Sequence, residues 1–202
     1  YKSPTPTYNL ASMYGAQLSF NGAIDPARPF QTLELVGALA PREKDRFDRD
    51  ERNLLILDGI ATAMVDAGGK VRIEYAATTF NLGVFGNKDI SYQNVNTLLT
   101  LSYLRFSLRN RLLTKYPRHK LANDGTQYGA GQKIVTPKVI KGEIIAMFGD
   151  WEDKGLVENK KQFIQDLVVE RNADNRDRID FLLSPDLINQ MRIFAGQIQF
   201  IL

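Results

Sequence analysis

The feature that most restricts this chain is a hydrophobic period that only a helix can use. Val95, Leu98, Leu101, Leu104, Leu108 and Leu112 recur at spacings of three and four, and Pro117 bounds the pattern. This predicts a long amphipathic helix over 92–116 whose leucine stripe must be covered by other elements. A second helix is expected from Pro137 to Lys154. Thr136 is its N-cap, Pro137 its first position and Gly155 follows its last turn; Ile140, Ile144, Met147, Phe148 and Trp151 form the buried stripe.

Elsewhere the period is shorter. Residues 8–40 mix short apolar pieces with Gly and Pro and read as short strands and loops. Dense charge followed by LLIL predicts a short helix from about Arg49, with Gly59 just past its end. ATAMV and KVRIEYAATT flank DAGG as the two arms of a hairpin. FIQDLVVER (163–171), RIDFLL (178–183) and the run from about Ile188 to Leu202 alternate as strands, with NADNRDR as a hairpin loop, so a three-stranded antiparallel meander is expected. The fold class is therefore α+β: an antiparallel or mixed sheet with two main helices packed on it.

Composition narrows the chemistry. The 202 residues include no cysteine and one histidine, His119, so disulfides, thiolate nucleophiles, cysteine-based metal sites and two-histidine metal sites are excluded. No run approaches the ~18 to 20 apolar residues of a membrane helix, and YKSPTPTYNL has no leader pattern; neither membrane insertion nor classical secretion is expected. An opening on Tyr1 followed by Ser, Thr and Pro suggests a piece of a longer protein, entered at a linker.

Catalytic patterns fail on spacing. GTQYGAGQK (125–133) has Ala130 where a phosphate-binding loop needs its second glycine and Ile134 where it needs Ser or Thr, which leaves a flexible surface loop. His119 sits in PRHK and no G-x-S-x-G exists to partner it. Asp174, Asp177 and Asp180 lack the glycine and closing glutamate of a calcium loop. No enzymatic activity and no cofactor is expected.

One charge feature stands out. Between Asp89 and Asp124 there is no acidic residue, whereas Arg105, Arg109, Arg111, Lys115, Arg118 and Lys120 are all present and read as six uncompensated cations. They form either a solvated helix face, with cations gathered near its C-terminus, or a surface that meets an anionic partner, protein or nucleic acid.

The chain closes on QIQFIL, where strand geometry puts Ile198, Phe200 and Leu202 on one face. Burying those three side chains is worth roughly 5 to 9 kcal/mol, and fixing six backbone residues costs on the order of 6 to 12 kcal/mol. The segment therefore needs a sheet edge to pair with, either in its own molecule as the last strand of the meander or in a neighbour.

TLLTLSYLRFSLRNRLLTKYPRHKLANDGTQYGAGQKIVTPK (97–138), VDAGGKVRIE (65–74), LVVERN (167–172) and the ending INQMRIFAGQIQFIL closely resemble the C-terminal portion of the tail sheath proteins of Mu-like contractile phages. The resemblance runs through nearly the whole chain. It implies a structural subunit, found in the virion and assembled in the host cytoplasm, that stacks as hexameric rings around a tail tube and contracts to drive that tube through the host envelope. Residues 1–45 would be the end of the preceding sheath domain, and 46–202 a tube-facing C-terminal domain with a strand arm from about 190 to 202. The implied partners are other copies of the chain, the tail tube protein, and the baseplate and tail terminator proteins. The basic helix would face an acidic tube and Ile198, Phe200 and Leu202 would pair with a neighbouring subunit. A basic nucleic-acid-binding module using 105–120 is the competing expectation.

Overall fold

The computed structural model describes residues 2–201, which divide into two units: one up to Leu99 together with the segment from Asn189, the other Thr100–Ile188. Each has its own core.

In the first unit, α1 (Thr7–Ile24) takes the front of the 8–40 stretch expected as strands and loops, while residues 25–40 are irregular with an isolated bridge at Glu34. Leu10, Met13, Tyr14 and Leu18 do form a helical stripe, and they pack on the core of Phe30, Leu35, Val71, Ile73 and Ala76. The stripe is hard to see because Tyr8, Phe20 and Ile24 are also apolar yet lie exposed, which flattens the period. Tyr14 donates its hydroxyl to the Tyr75 carbonyl at 2.9 Å, and burial, with Glu74 nearby, holds its phenol far above the usual range. Gly22 lets α1 approach closely, since a Cβ there would lie 2.8 Å from Leu99 Cδ1.

The short helix is present as α2 (Arg49–Leu57), opened by a capping box between Asp48 and Glu51 and followed by Gly59 at φ 76°. The predicted hairpin is β1 (Thr62–Val65) and β2 (Val71–Tyr75), antiparallel. Asp66 closes its turn by accepting from the Gly68 and Lys70 amides, both at 2.9 Å. On the far edge of β2, Leu35 donates to Val71 at 2.8 Å and Ile73 to Leu33 at 2.9 Å, so residues 32–35 flank it and both edges are satisfied.

The leucine helix is α3 (Val95–Lys115), and the division between the units falls inside it. In the second unit Leu104 and Leu108 are buried, as expected; Leu98, in the first, is 40% exposed. β3 (Lys120–Leu121) and β4 (Ile134–Val135) form a short parallel pair. α4 (Pro137–Asp153) begins at Thr136, whose hydroxyl accepts from the Val139 amide, and buries all five predicted stripe residues. Trp151 Nε1 donates to Ser107 Oγ at 3.0 Å, tying α4 to α3.

The meander differs from expectation. β5 (Val157–Glu158) is followed by α5 (Lys160–Asp166), so the start of FIQDLVVER is helical. Phe163 and Leu167, four apart, are both fully buried, and Phe163 stacks on Phe148 at 4.2 Å. That spacing serves a helix turn, and it outweighs the apparent alternation. β6 (Val168–Arg171) and β7 (Ile179–Leu182) make the expected antiparallel hairpin, with Asn172 organising its loop. β8 (Asp186–Leu187) then pairs with β5, not with β7. Residues 189–201 belong to no strand, and Leu202 lies outside the described residues. The fold is α+β as expected, with the strands of the described residues shared among four two-stranded sheets rather than gathered in one.

Candidate functional site

Two surfaces carry the residues singled out from the sequence: the polar side of α3 in the second unit, and the terminal segment in the first. An α-helix advances about 100° per residue, so Arg105 and Arg109 share a face and Arg111 lies about 240° further round than Arg105. The structure follows that division. Arg105 and Arg109 are exposed and, with Phe106, Leu112, Leu113 and Phe181, line an open groove of about 690 Å³. Arg111 and Lys115 turn instead toward α4.

There they meet Glu143, whose side chain is only 5% exposed. Arg111 Nε donates to Glu143 Oε1 at 2.6 Å, Lys115 Nζ donates to Oε2, and the Tyr116 hydroxyl reaches Oε2 at 3.3 Å. Arg111 Nη1 also lies 3.7 Å from Asp150 Oδ2. Burial pushes the Glu143 carboxyl up, but the hydrogen bonds from Lys115 and Arg111 outweigh it and hold it below the usual range. The same pairing raises the Arg111 guanidinium. These two cations are therefore compensated, contrary to the local reading. Their carboxylate lies 32 and 28 residues away in sequence, beyond any helical spacing rule. Its signal was a lone glutamate inside the apolar stripe of α4.

Arg118, at φ 57°, and Lys120, whose Nζ donates to Gln132 Oε1 at 3.0 Å, sit past the end of α3 beside the exposed 125–133 loop. His119 Nδ1 lies 3.0 Å from the Pro117 carbonyl, and its ring stands edge-on to Tyr116. Among the described residues no group of histidines and carboxylates is arranged to hold a metal, and no helix is long and apolar enough to cross a membrane.

In the terminal segment, Arg192 stacks over the Tyr75 ring at 4.2 Å, and Asn94 Nδ2 donates to Gln190 Oε1. Beyond that anchorage the apolar side chains point outward: Ile198 is 99% exposed, Phe200 81% and Ile201 100%. Ile198, Phe200 and Ile201 thus form one exposed apolar run.

Residues 1–79 match the central domain of phage tail sheath proteins, and residues 87–201 match the phage tail sheath C-terminal domain. The chain belongs to the phage tail sheath family. Over all 202 residues it is 49% identical to the Mu-like prophage FluMu tail sheath protein of Haemophilus influenzae, and it spans 41% of that relative's length. Its fold is shared with a chain of the anti-feeding prophage baseplate (TM-score 0.61, 10% identity, 96% of this chain and 49% of that one). It is shared too with the sheath tail protein of Listeria innocua (TM-score 0.57, 16% identity, 80% and 35% covered). This family is one of structural proteins of bacteriophage tails.

Proposed function

We propose that the chain is the later portion of a contractile tail sheath subunit, which stacks with other copies as hexameric rings around a tail tube and drives that tube through the host envelope on contraction. In this reading residues 1–45 end the preceding sheath domain and 46–202 form the tube-facing domain. The subunit is built in the host cytoplasm and resides in the virion, between baseplate and terminator proteins. The observation that carries the proposal is the outward-facing apolar run Ile198, Phe200 and Ile201, in residues 193–201, which belong to no strand among the described residues. An extended segment that adds to another subunit's sheet satisfies its backbone there, and it can flex while its ladder stays intact. Arg105 and Arg109, which no carboxylate of the described residues pairs, suit an acidic tube surface. A contact repeated over many copies is firm in sum and weak singly.

Deleting residues 197–202 from the complete protein should leave a folded protomer and abolish sheath polymers seen by electron microscopy. Polymers of normal appearance from the truncated protein would refute the assignment.

A further inference from the structure

The terminal segment is fastened to the first unit by its polar side chains. After β8 the Ile188 amide donates to the Leu156 carbonyl at 3.2 Å, and from there the side chains alternate. Gln190 and Arg192 are half-buried, whereas Met191, 67% exposed, and Ile193, 81% exposed, face away. From Ile193 to Ile201 every residue is exposed. Burial of carbon alone would have turned this strip the other way round, with Met191 and Ile193 inward. Specific polar contacts hold it instead, and they stop at Arg192.

Those contacts converge on one place. The Arg192 guanidinium lies 4.2 Å from the centre of the Tyr75 ring. Its Nη2 donates to Gln190 Oε1 at 3.2 Å, and the same oxygen accepts from Asn94 Nδ2. The receiving side is fixed at several points. The Tyr75 carbonyl accepts from the Tyr14 hydroxyl at 2.9 Å, the Ala76 carbonyl from the Val95 amide at 3.1 Å, and Asn94 Oδ1 from the Asn96 amide at 3.1 Å. The end of β2 and the start of α3 thus present one ring and one amide as a built seat. We propose that Tyr75 and Asn94 are positioning residues that root the terminal arm at Arg192, so that the part free to pair with a neighbouring subunit is 193–202. This deepens the terminal-arm reading and rests on it. Rooting sets the reach: the ten residues 193–202 span at most about 36 Å, whereas an arm held only at Ile188 has fourteen and spans up to about 50 Å. A receiving edge must then lie within the shorter distance of Tyr75.

The test digests the complete sheath protein, unassembled, with trypsin. The protease must take the Arg192 side chain into its own pocket, so cleavage there requires an open seat and its rate tracks the open population. Cleavage after Lys70, at the head of β2 in the same unit, is the internal standard for general loosening. Against that standard Tyr75→Leu should speed cleavage after Arg192 about two- to fivefold, the worth of a partly exposed cation–π contact. Tyr75→Phe keeps the ring face and should leave the rate unchanged. Gln190→Ala alters nothing in the receiving side and should speed cleavage by a similar factor. Tyr75→Leu and Gln190→Ala should also raise the critical concentration for assembly about two- to fivefold, and Tyr75→Phe should not. Cleavage after Arg192 that stays level in both variants, or rises only in step with cleavage after Lys70, would overturn the seat. Faster cleavage with assembly at the unmodified concentration would overturn the rooting role alone. Assembly that survives these changes and the deletion of 197–202 would overturn the arm reading with it.

Discussion

Replacing Glu143 by Gln should loosen the second unit and remove part of its acid sensitivity. Glutamine keeps the shape and one acceptor oxygen but forfeits the charge that Arg111 and Lys115 share. Both cations are about half exposed, at 43% and 49% for their side chains, so neither is stranded in a dry interior when the carboxylate is lost. The cost is then that of weakening charged hydrogen bonds to a buried acceptor, about 1.5 to 3 kcal/mol, and not the larger penalty of an orphaned buried ion. The single tryptophan makes this measurable, because Trp151 is buried on the same helix and bonded to Ser107 of α3. Its fluorescence reports the loss of α3–α4 packing during urea unfolding.

The pH dependence has a definite sign. The folded Glu143 carboxyl sits below its usual range, so between its folded pKa and the unfolded value near 4.3 the unfolded chain binds more protons and stability rises with pH. The stabilisation is complete above the unfolded value and disappears as pH falls through the folded one. Glu143→Gln should therefore differ from the unmodified protein at pH 7 and converge with it in strong acid. A variant within 0.5 kcal/mol of the unmodified protein at pH 7, or a gap that persists unchanged in strong acid, would refute the reasoning.

Charge reversal of Arg105 and Arg109 together should weaken co-sedimentation with purified tail tubes at low salt while leaving the Trp151 unfolding midpoint in place; binding that ignores both the reversal and added salt would remove tube contact from this face. Thr136→Ala removes the hydroxyl that caps α4 and should cost about 1 kcal/mol in the same urea titration, with Thr136→Ser recovering most of it.

Much of this architecture could be read from local rules. α3, α4 and α2 announce themselves by spacing and caps, and the β1–β2 turn by Asp66 and its two glycines. What escaped depends on the rest of the molecule. α1 has apolar residues all round and no charge to mark a solvent side, so its period shows only when the core that it covers is known. α5 looked like the first half of a strand because Phe163 and Leu167 fit either conformation over so short a run, and the contact with Phe148 decides it. The pairing of β8 with β5 joins segments up to 30 residues apart, with α5 and the β6–β7 hairpin between them, so no single turn announces it. The candidate surfaces were half legible: the cations could be counted, but which of them are compensated depends on Glu143, placed by a different helix.

On the proposed reading, that division gives α3 two jobs separated by rotation alone. Arg111 and Lys115 are engaged with Glu143, so their charge serves the fold and is not available to a partner without a loss of stability. Arg105 and Arg109 border a groove of exposed Phe106 and Leu113, where carbon surface and guanidinium stand side by side. A partner seated there would meet apolar contact, which salt leaves intact, and charge, which salt screens. Reversing Arg111 should consequently act first on unfolding, and reversing Arg105 first on assembly. One helix read at 100° per residue should thus separate substitutions that break the protomer from those that leave it whole and weaken assembly.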